Sequence, residues 1–200
     1  MPIDMTRRAF LALSAAAAGT LAAAPALAMT VAQARALIDR VVEEINAVIN
    51  SGRPERAMYD EFEAIMARHA DVPGIALTAL GAARRQASAA QQREFIAVFR
   101  GYIARKYGSR FREFIGGRLE VQRVRDLGSR IEVETTAFLR GEDPFEVTFV
   151  VSDRSGRQAF YNMYIEGVNM LALEREEIGR LLDRRGGNID AMIRDLRRAA

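Results

Sequence analysis

The sequence predicts a mixed α+β protein: a helical first half, a four-stranded antiparallel meander covered on one face by helices, and two short C-terminal helices. Three observations carry that reading. Apolar residues recur at helical spacing from Val31 to Tyr107. From Arg118 the period changes to two, the signature of strands with one buried face. The segments between the alternating stretches are short and turn-rich, as antiparallel neighbours require.

Residues 1–28 precede the domain and read as a leader. Thr6-Arg7-Arg8-Ala9-Phe10-Leu11 leads into a mildly apolar, Ala-rich run that ends in Ala26-Leu27-Ala28, a small-x-small cleavage site. The paired arginines followed by Phe10 and Leu11 match the twin-arginine form of export signal. The 20 residues from Ala9 to Ala28 are long enough to span a bilayer. Alanine contributes little apolar area, however, and Pro25 breaks the end, so the cleaved signal is preferred to an anchor. Cleavage leaves a single domain, residues 29–200, in an extracytoplasmic compartment.

Thr30 and Gln33 form a capping box, and Val31, Ala34, Leu37, Ile38, Val41, Ile45, Val48 and Ile49 then hold helical spacing until Ser51-Gly52-Arg53-Pro54. A first helix near 31–50 follows. Pro54 opens a second, with Met58, Phe62, Ile65 and Met66 on one side, ending near His69-Ala70-Asp71. Asp71 caps a short helix from Val72 to Leu80, closed by Gly81. Ser88 with Gln91 starts a long helix carrying Phe95, Val98, Phe99, Tyr102, Ile103 and Tyr107, and Gly108 bends or ends it before Phe111, Phe114 and Ile115.

In the strand region, Leu119, Val121 and Arg123 fall on one side by alternation. Ile131, Val133, Thr135, Ala137 and Leu139 alternate with Glu132, Glu134 and Thr136, and Phe145, Val147, Phe149 and Val151 alternate with Glu146 and Thr148. The last strand spans Gln158 to Val168, with Tyr161, Met163 and Ile165 opposing Asn162 and Glu166. Helices near 171–184 and 189–198 close the chain, separated by Gly186-Gly187, with Asn188 as N-cap.

Composition removes several functions. The chain has no Cys and no Trp, and its one His is His69, so disulfides, thiolate nucleophiles and two-histidine metal sites are excluded. No metal and no cofactor is implied. The sequence pI is about 9.7, yet a net charge of +3 over 200 residues is a weak field, and no nucleic-acid partner is read from it. A hydrolase would have to use His69, which stands at a helix end beside Asp71 and reads as a capping or surface residue. Glu132 and Glu134, two apart on one strand, read as a solvated strand face, not as paired acids. Arg180, Arg184, Arg185, Arg194, Arg197 and Arg198 read as a solvated helix surface. Gly186-Gly187 lacks the Lys and Ser or Thr of a phosphate loop and reads as a turn.

The order and spelling of segments over residues 30–198 resemble the MlaC, or toluene-tolerance, family of periplasmic phospholipid-binding proteins that serve ABC transporters. The resemblance rests on Asp71-Val72-Pro73 with Leu80-Gly81, and on Gln91-Gln92-Arg93-Glu94-Phe95 through Phe99, Tyr102, Tyr107 and Arg110-Phe111. It continues in Glu166-Gly167-Val168 and in Arg185-Gly186-Gly187-Asn188-Ile189-Asp190 through Ile193 and Leu196. Two departures stand out: Ala82-Ala83 replace an aromatic pair usual in members, and Gln158-Ala159-Phe160 stands where members carry a Trp.

The resemblance implies an apolar cavity for acyl chains between helices and sheet, and a non-enzymatic carrier. Its partners would be phospholipid, an inner-membrane ABC transporter complex and an outer-membrane lipid complex. The candidate lining is Phe99, Tyr102, Ile103, Phe111, Val133, Val147, Phe149, Met163 and Ile165. The same fold carrying another lipid, such as a hopanoid, and a cargo-free periplasmic interaction domain are the rival expectations.

Overall fold

The computed structural model describes residues 29–108 and 111–199, and leaves the side chains of Phe111 and Arg112 outside the description. The proposed leader lies outside the described residues. No described helix is long and apolar enough to cross a membrane.

The local signals act where the sequence places them. The Thr30 hydroxyl accepts from the Gln33 amide at 3.2 Å and the Gln33 side chain accepts from the Thr30 amide at 2.8 Å, which starts α1, Val31–Ile49. Pro54 precedes α2, Glu55–His69, and the Asp71 carboxylate caps α3, Val72–Ala79, through the Gly74 amide at 3.1 Å. A 3-10 segment, Gly81–Arg85, follows without a forecast from the sequence. Ser88 and Gln91 form the second reciprocal cap, at 3.2 and 2.9 Å, ahead of α4, Ala89–Gly108; α5, Phe111–Phe114, adds one turn.

The strands are β1, Arg118–Asp126; β2, Ile131–Phe138; β3, Phe145–Ser152; β4, Ala159–Ile165; and β5, Val168–Asn169. They pair in chain order, antiparallel throughout. The four-stranded expectation is therefore corrected to a five-stranded sheet among the described residues. Glu166 and Gly167 turn the chain back at φ +49° and +78°, so the predicted last strand becomes β4, a two-residue turn and β5. Asn169 then caps α6, Met170–Asp183, by accepting from the Ala172 amide at 3.0 Å, and Asn188 caps α7, Ile189–Arg198.

Two bulges change which residues face the core. Val121 pairs with Thr135 but Arg123 with Glu134, so Gln122 is the extra residue and the alternation reverses beyond it. Val124 opposes Val133 on the apolar face, whereas Arg123 joins Glu134 on the other face, against the sequence expectation for Arg123. In β4, Asn162 pairs with Val150 and Phe160 with Val151, which leaves Tyr161 as the extra residue. Phe160 takes the core position, and the Tyr161 hydroxyl meets the fields of Arg130, Arg154 and Glu132 instead. Burial raises the Tyr161 pKa above its ordinary value, against the opposing pull of Arg130 and Arg154.

The expectation that Glu132 and Glu134 form a solvated face is also corrected. They are 4% and 5% exposed. Arg125 reaches both carboxylates, Arg130 pairs with Glu132 at 2.6 Å, and Arg123 pairs with Glu134. Long arginine stems thus roof this face of the sheet while their guanidinium groups remain partly in water.

The apolar interior has two parts. One lies between α1, α2 and the inner sheet face, with Ile38, Val41, Val133 and Phe149 deeply buried. The other lies among α3, α4, α6 and α7, around Phe95, Phe99, Met192 and Leu196. Helix α4 borders both regions.

Candidate functional site

A cavity of about 400 Å³ lies at the junction of these two apolar regions, a size within the range of small-ligand sites. Its walls come from α1 to α5, from β1, β3 and β4, from the β2–β3 loop and the turn at Glu166, and from the first turns of α6. Most of the lining is aliphatic or aromatic, with Met66, Met163 and Met170 among it. Unbranched methionines fill irregular space and re-pack readily, so such a wall accommodates more than one ligand shape.

Six of the nine residues proposed from the sequence stand in this wall. Phe99 and Ile103 come from α4, one turn apart; Val147 and Phe149 come from β3, and Met163 and Ile165 face them from β4. Two do not belong to it: Val133 is fully buried against the inner core and Tyr102 packs in the second apolar region. The ninth, Phe111, opens α5, and its side chain lies outside the described residues. Helical spacing put Phe99, Tyr102 and Ile103 on one stripe, but α4 is buried on more than one side, and the stripe divides between cavity and core.

Two polar wall residues, Asn162 and Glu174, tie α6 to its neighbours. Asn162 pins the start of α6 to β4, its Oδ1 accepting from the Leu171 amide at 3.2 Å and its Nδ2 donating to Asn169 at 3.0 Å. On the next turn of α6, Glu174 is 3% exposed, yet it stands in the cavity wall. Its Oε1 accepts from Lys106 Nζ at 2.6 Å and from the Tyr107 hydroxyl, which ties α6 to the end of α4. Lys106, the only lysine in the chain, also lies 5.3 Å from the centre of the Tyr102 ring. Burial disfavours its charge, but the hydrogen bonds to Glu174 and Tyr102 outweigh that, and its pKa lies above the ordinary lysine value. Burial likewise raises the Tyr102 pKa, opposed by the hydrogen bond with Lys106. Nothing in the residue pattern singles out Glu174, one of several acids on the helix expected near 171–184.

His69 is engaged elsewhere. Its Nε2 lies 2.8 Å from Glu44 Oε1, and Arg68 holds the other oxygen of the same carboxylate. The C-terminal arginines are largely neutralised: Arg180 pairs with Glu176 and Glu177, Arg185 and Arg198 with Asp195, and Arg197 with Glu94 at 2.8 Å. Among the described residues no group of acids and His69 is placed to hold a metal ion.

No curated protein matches the chain. Among solved structures, a phospholipid-binding protein from Ralstonia solanacearum, determined in complex with a phospholipid, superposes with a TM-score of 0.70 at 18% identity. The match covers 82% of this chain and 94% of the other, which shows a shared fold. The family model described as MlaC protein matches residues 37–198, nearly the whole described domain. The chain therefore belongs to the MlaC family.

Proposed function

We propose that this protein is a periplasmic lipid carrier, not an enzyme, that buries phospholipid acyl chains in the cavity between α4 and the β3–β4 face. The observation that carries this reading is the apolar wall of Phe99, Ile103, Val147, Phe149, Met163 and Ile165 around about 400 Å³. Each methylene withdrawn from water contributes about 0.8 kcal/mol, so ten in such a slot supply roughly 8 kcal/mol without any charged ligand group. A bilayer offers the same tails an equally apolar home, so loading and release are matched to the membrane and neither is strongly uphill. The carrier exchanges lipid with an ABC transporter complex of the inner membrane and a lipid complex of the outer membrane. Membership of the family and a fold shared with a phospholipid-complexed protein support this reading.

The experiment is to express the full chain with its leader, purify it from the envelope, extract it with organic solvent and identify bound lipid by mass spectrometry. Near-stoichiometric phospholipid is expected, on a chain whose intact mass begins at Met29 or within a residue or two. A polycyclic lipid in its place would assign a hopanoid-type cargo. A lipid-free chain that takes up nothing from vesicles would identify a cargo-free interaction domain.

A further inference from the structure

The cavity runs along β3 and β4. Glu142, in the β2–β3 loop, and Glu166, at the β4–β5 turn, are exposed wall residues and mark a mouth at one end of the sheet. At the other end the wall is closed by Phe160 at the start of β4 and by Val72 and Ile75 of α3, which packs on that strand. From Ile165 to Phe160 is five residue steps, about 16 Å at about 3.3 Å each. A phospholipid tail in a bilayer spans about half of a hydrocarbon core about 30 Å thick, or about 15 Å. A tail that enters at the mouth therefore reaches Phe160 when it is about as long as a leaflet is deep.

This floor is held stiffly. The bulge at Tyr161 aims Phe160 inwards, where it is 5% exposed and its ring meets Phe149 edge-on at 5.4 Å. Its carbonyl accepts from the Asp71 amide at 2.8 Å, beside a parallel bridge between Ala70 and Phe160. Arg157 donates to the carbonyls of Arg68, at 2.6 Å, and Ala70, which clamps the α2–α3 junction onto the start of β4. A guanidinium at a helix C-terminus is also favoured by the helix dipole. The side walls differ, because Met66, Met163 and Met170 can re-pack. The width of the slot yields; its depth does not.

Resting on the lipid-carrier reading, we infer that the cavity selects lipids by acyl-chain length, with Phe160 as the specificity-determining residue. Tails up to the depth of the slot exchange one apolar home for another. A longer tail meets the Phe160 ring and leaves its surplus methylenes in water at the mouth. Each of those lowers occupancy about fourfold relative to a tail that stays in the bilayer. Discrimination thus begins at the floor and steepens with every added carbon.

The test presents the delipidated mature chain with vesicles of phosphatidylcholines carrying monounsaturated tails of sixteen, eighteen, twenty or twenty-two carbons in equal amounts, and quantifies protein-bound lipid by mass spectrometry. The wild type is expected to hold the sixteen- and eighteen-carbon lipids near their vesicle proportion and the twenty-two-carbon lipid about tenfold below it, the scale of two overhanging methylenes. Phe160→Ala should raise the twenty-two-carbon share about tenfold at unchanged total lipid per chain, and Phe160→Leu by a smaller factor. If the alanine variant lacks a cooperative melt by circular dichroism, the leucine variant, which keeps most of the bulk, decides. Even uptake of all lengths by the wild type, or a length profile unmoved in the folded variants, overturns the assignment and leaves the carrier reading intact. A wild type that takes up no lipid overturns both.

Discussion

Val147 stands directly opposite Ile165 in the β3–β4 ladder, and both side chains belong to the cavity wall. The position therefore distinguishes a lined slot from a closed core. Val147→Arg in a packed core would bury an unpaired charge at a cost of several kcal/mol and unfold the protein. Beside a cavity, the arginine stem occupies the space of an acyl chain and its head extends towards the mouth. The expected result is a variant with a cooperative melt by circular dichroism and little extractable lipid. A folded variant with a full complement of lipid would remove this strand face from the site.

Gly186 and Gly187 adopt φ of +59° and +80°, and a Cβ added at either would meet no atom within 4 Å. Substitution there introduces backbone strain and no clash. Gly186→Ala and Gly187→Ala should each cost about 1 kcal/mol and lower Tm by about 2–4 °C, with bound lipid unchanged. Differential scanning calorimetry with lipid extraction checks both halves. Lost lipid at unchanged Tm would move the turn into the binding site.

Glu166 is the one non-glycine residue among those described with positive φ, at +49°, and Gly167 follows at +78°. A two-residue hairpin turn with both central φ positive favours Asn-Gly. Glu166→Asn is expected to stabilise the fold by about 0.5–1 kcal/mol, seen as a Tm rise of about 2 °C. A decrease in Tm would mean that the Glu166 side chain contributes more than its backbone costs.

Glu44 joins α1 to the end of α2 through Arg68 and His69. Burial acts to raise its pKa, but the hydrogen bonds and charges of Arg68 and His69 outweigh that and hold the carboxyl below its ordinary value. A depressed folded-state pKa contributes stability above the unfolded-state value, and that contribution disappears as pH falls through the folded one. Tm should therefore fall as the pH drops below the ordinary glutamate range, and the fall should be shallower in Glu44→Gln. Identical pH profiles for the two proteins would show that this carboxylate does not couple to folding. Glu177 and Asp195 are also held below their ordinary values by their arginine partners and contribute in the same direction.

Much of the fold was legible in the order of residues because its signals are local. Thr30 with Gln33, Ser88 with Gln91, Asp71 and Asn188 each close a hydrogen bond within three residues of themselves, so the sequence spacing is the geometry. The strand alternation from Ile131 to Val151 is likewise intrinsic to extended backbone. What the chain order could not supply was anything that depends on pairing. The extra residues Gln122 and Tyr161 exist only relative to a neighbouring strand, and they alone decide that Arg123 leaves the core face and Phe160 joins it. Alternation separates two faces of a strand without saying what covers each, so Glu132 and Glu134 read as solvated until Arg123, Arg125 and Arg130 were seen to roof them. The site divides in the same way. The sequence determined that Phe99, Ile103, Val147, Phe149, Met163 and Ile165 would be turned away from water. The packing of α4 and α6 around the sheet decided that these six border a cavity, that Val133 and Tyr102 fill core instead, and that Glu174 meets Lys106 across 68 residues of chain, because hydrophobic burial is indifferent to which apolar partner provides it.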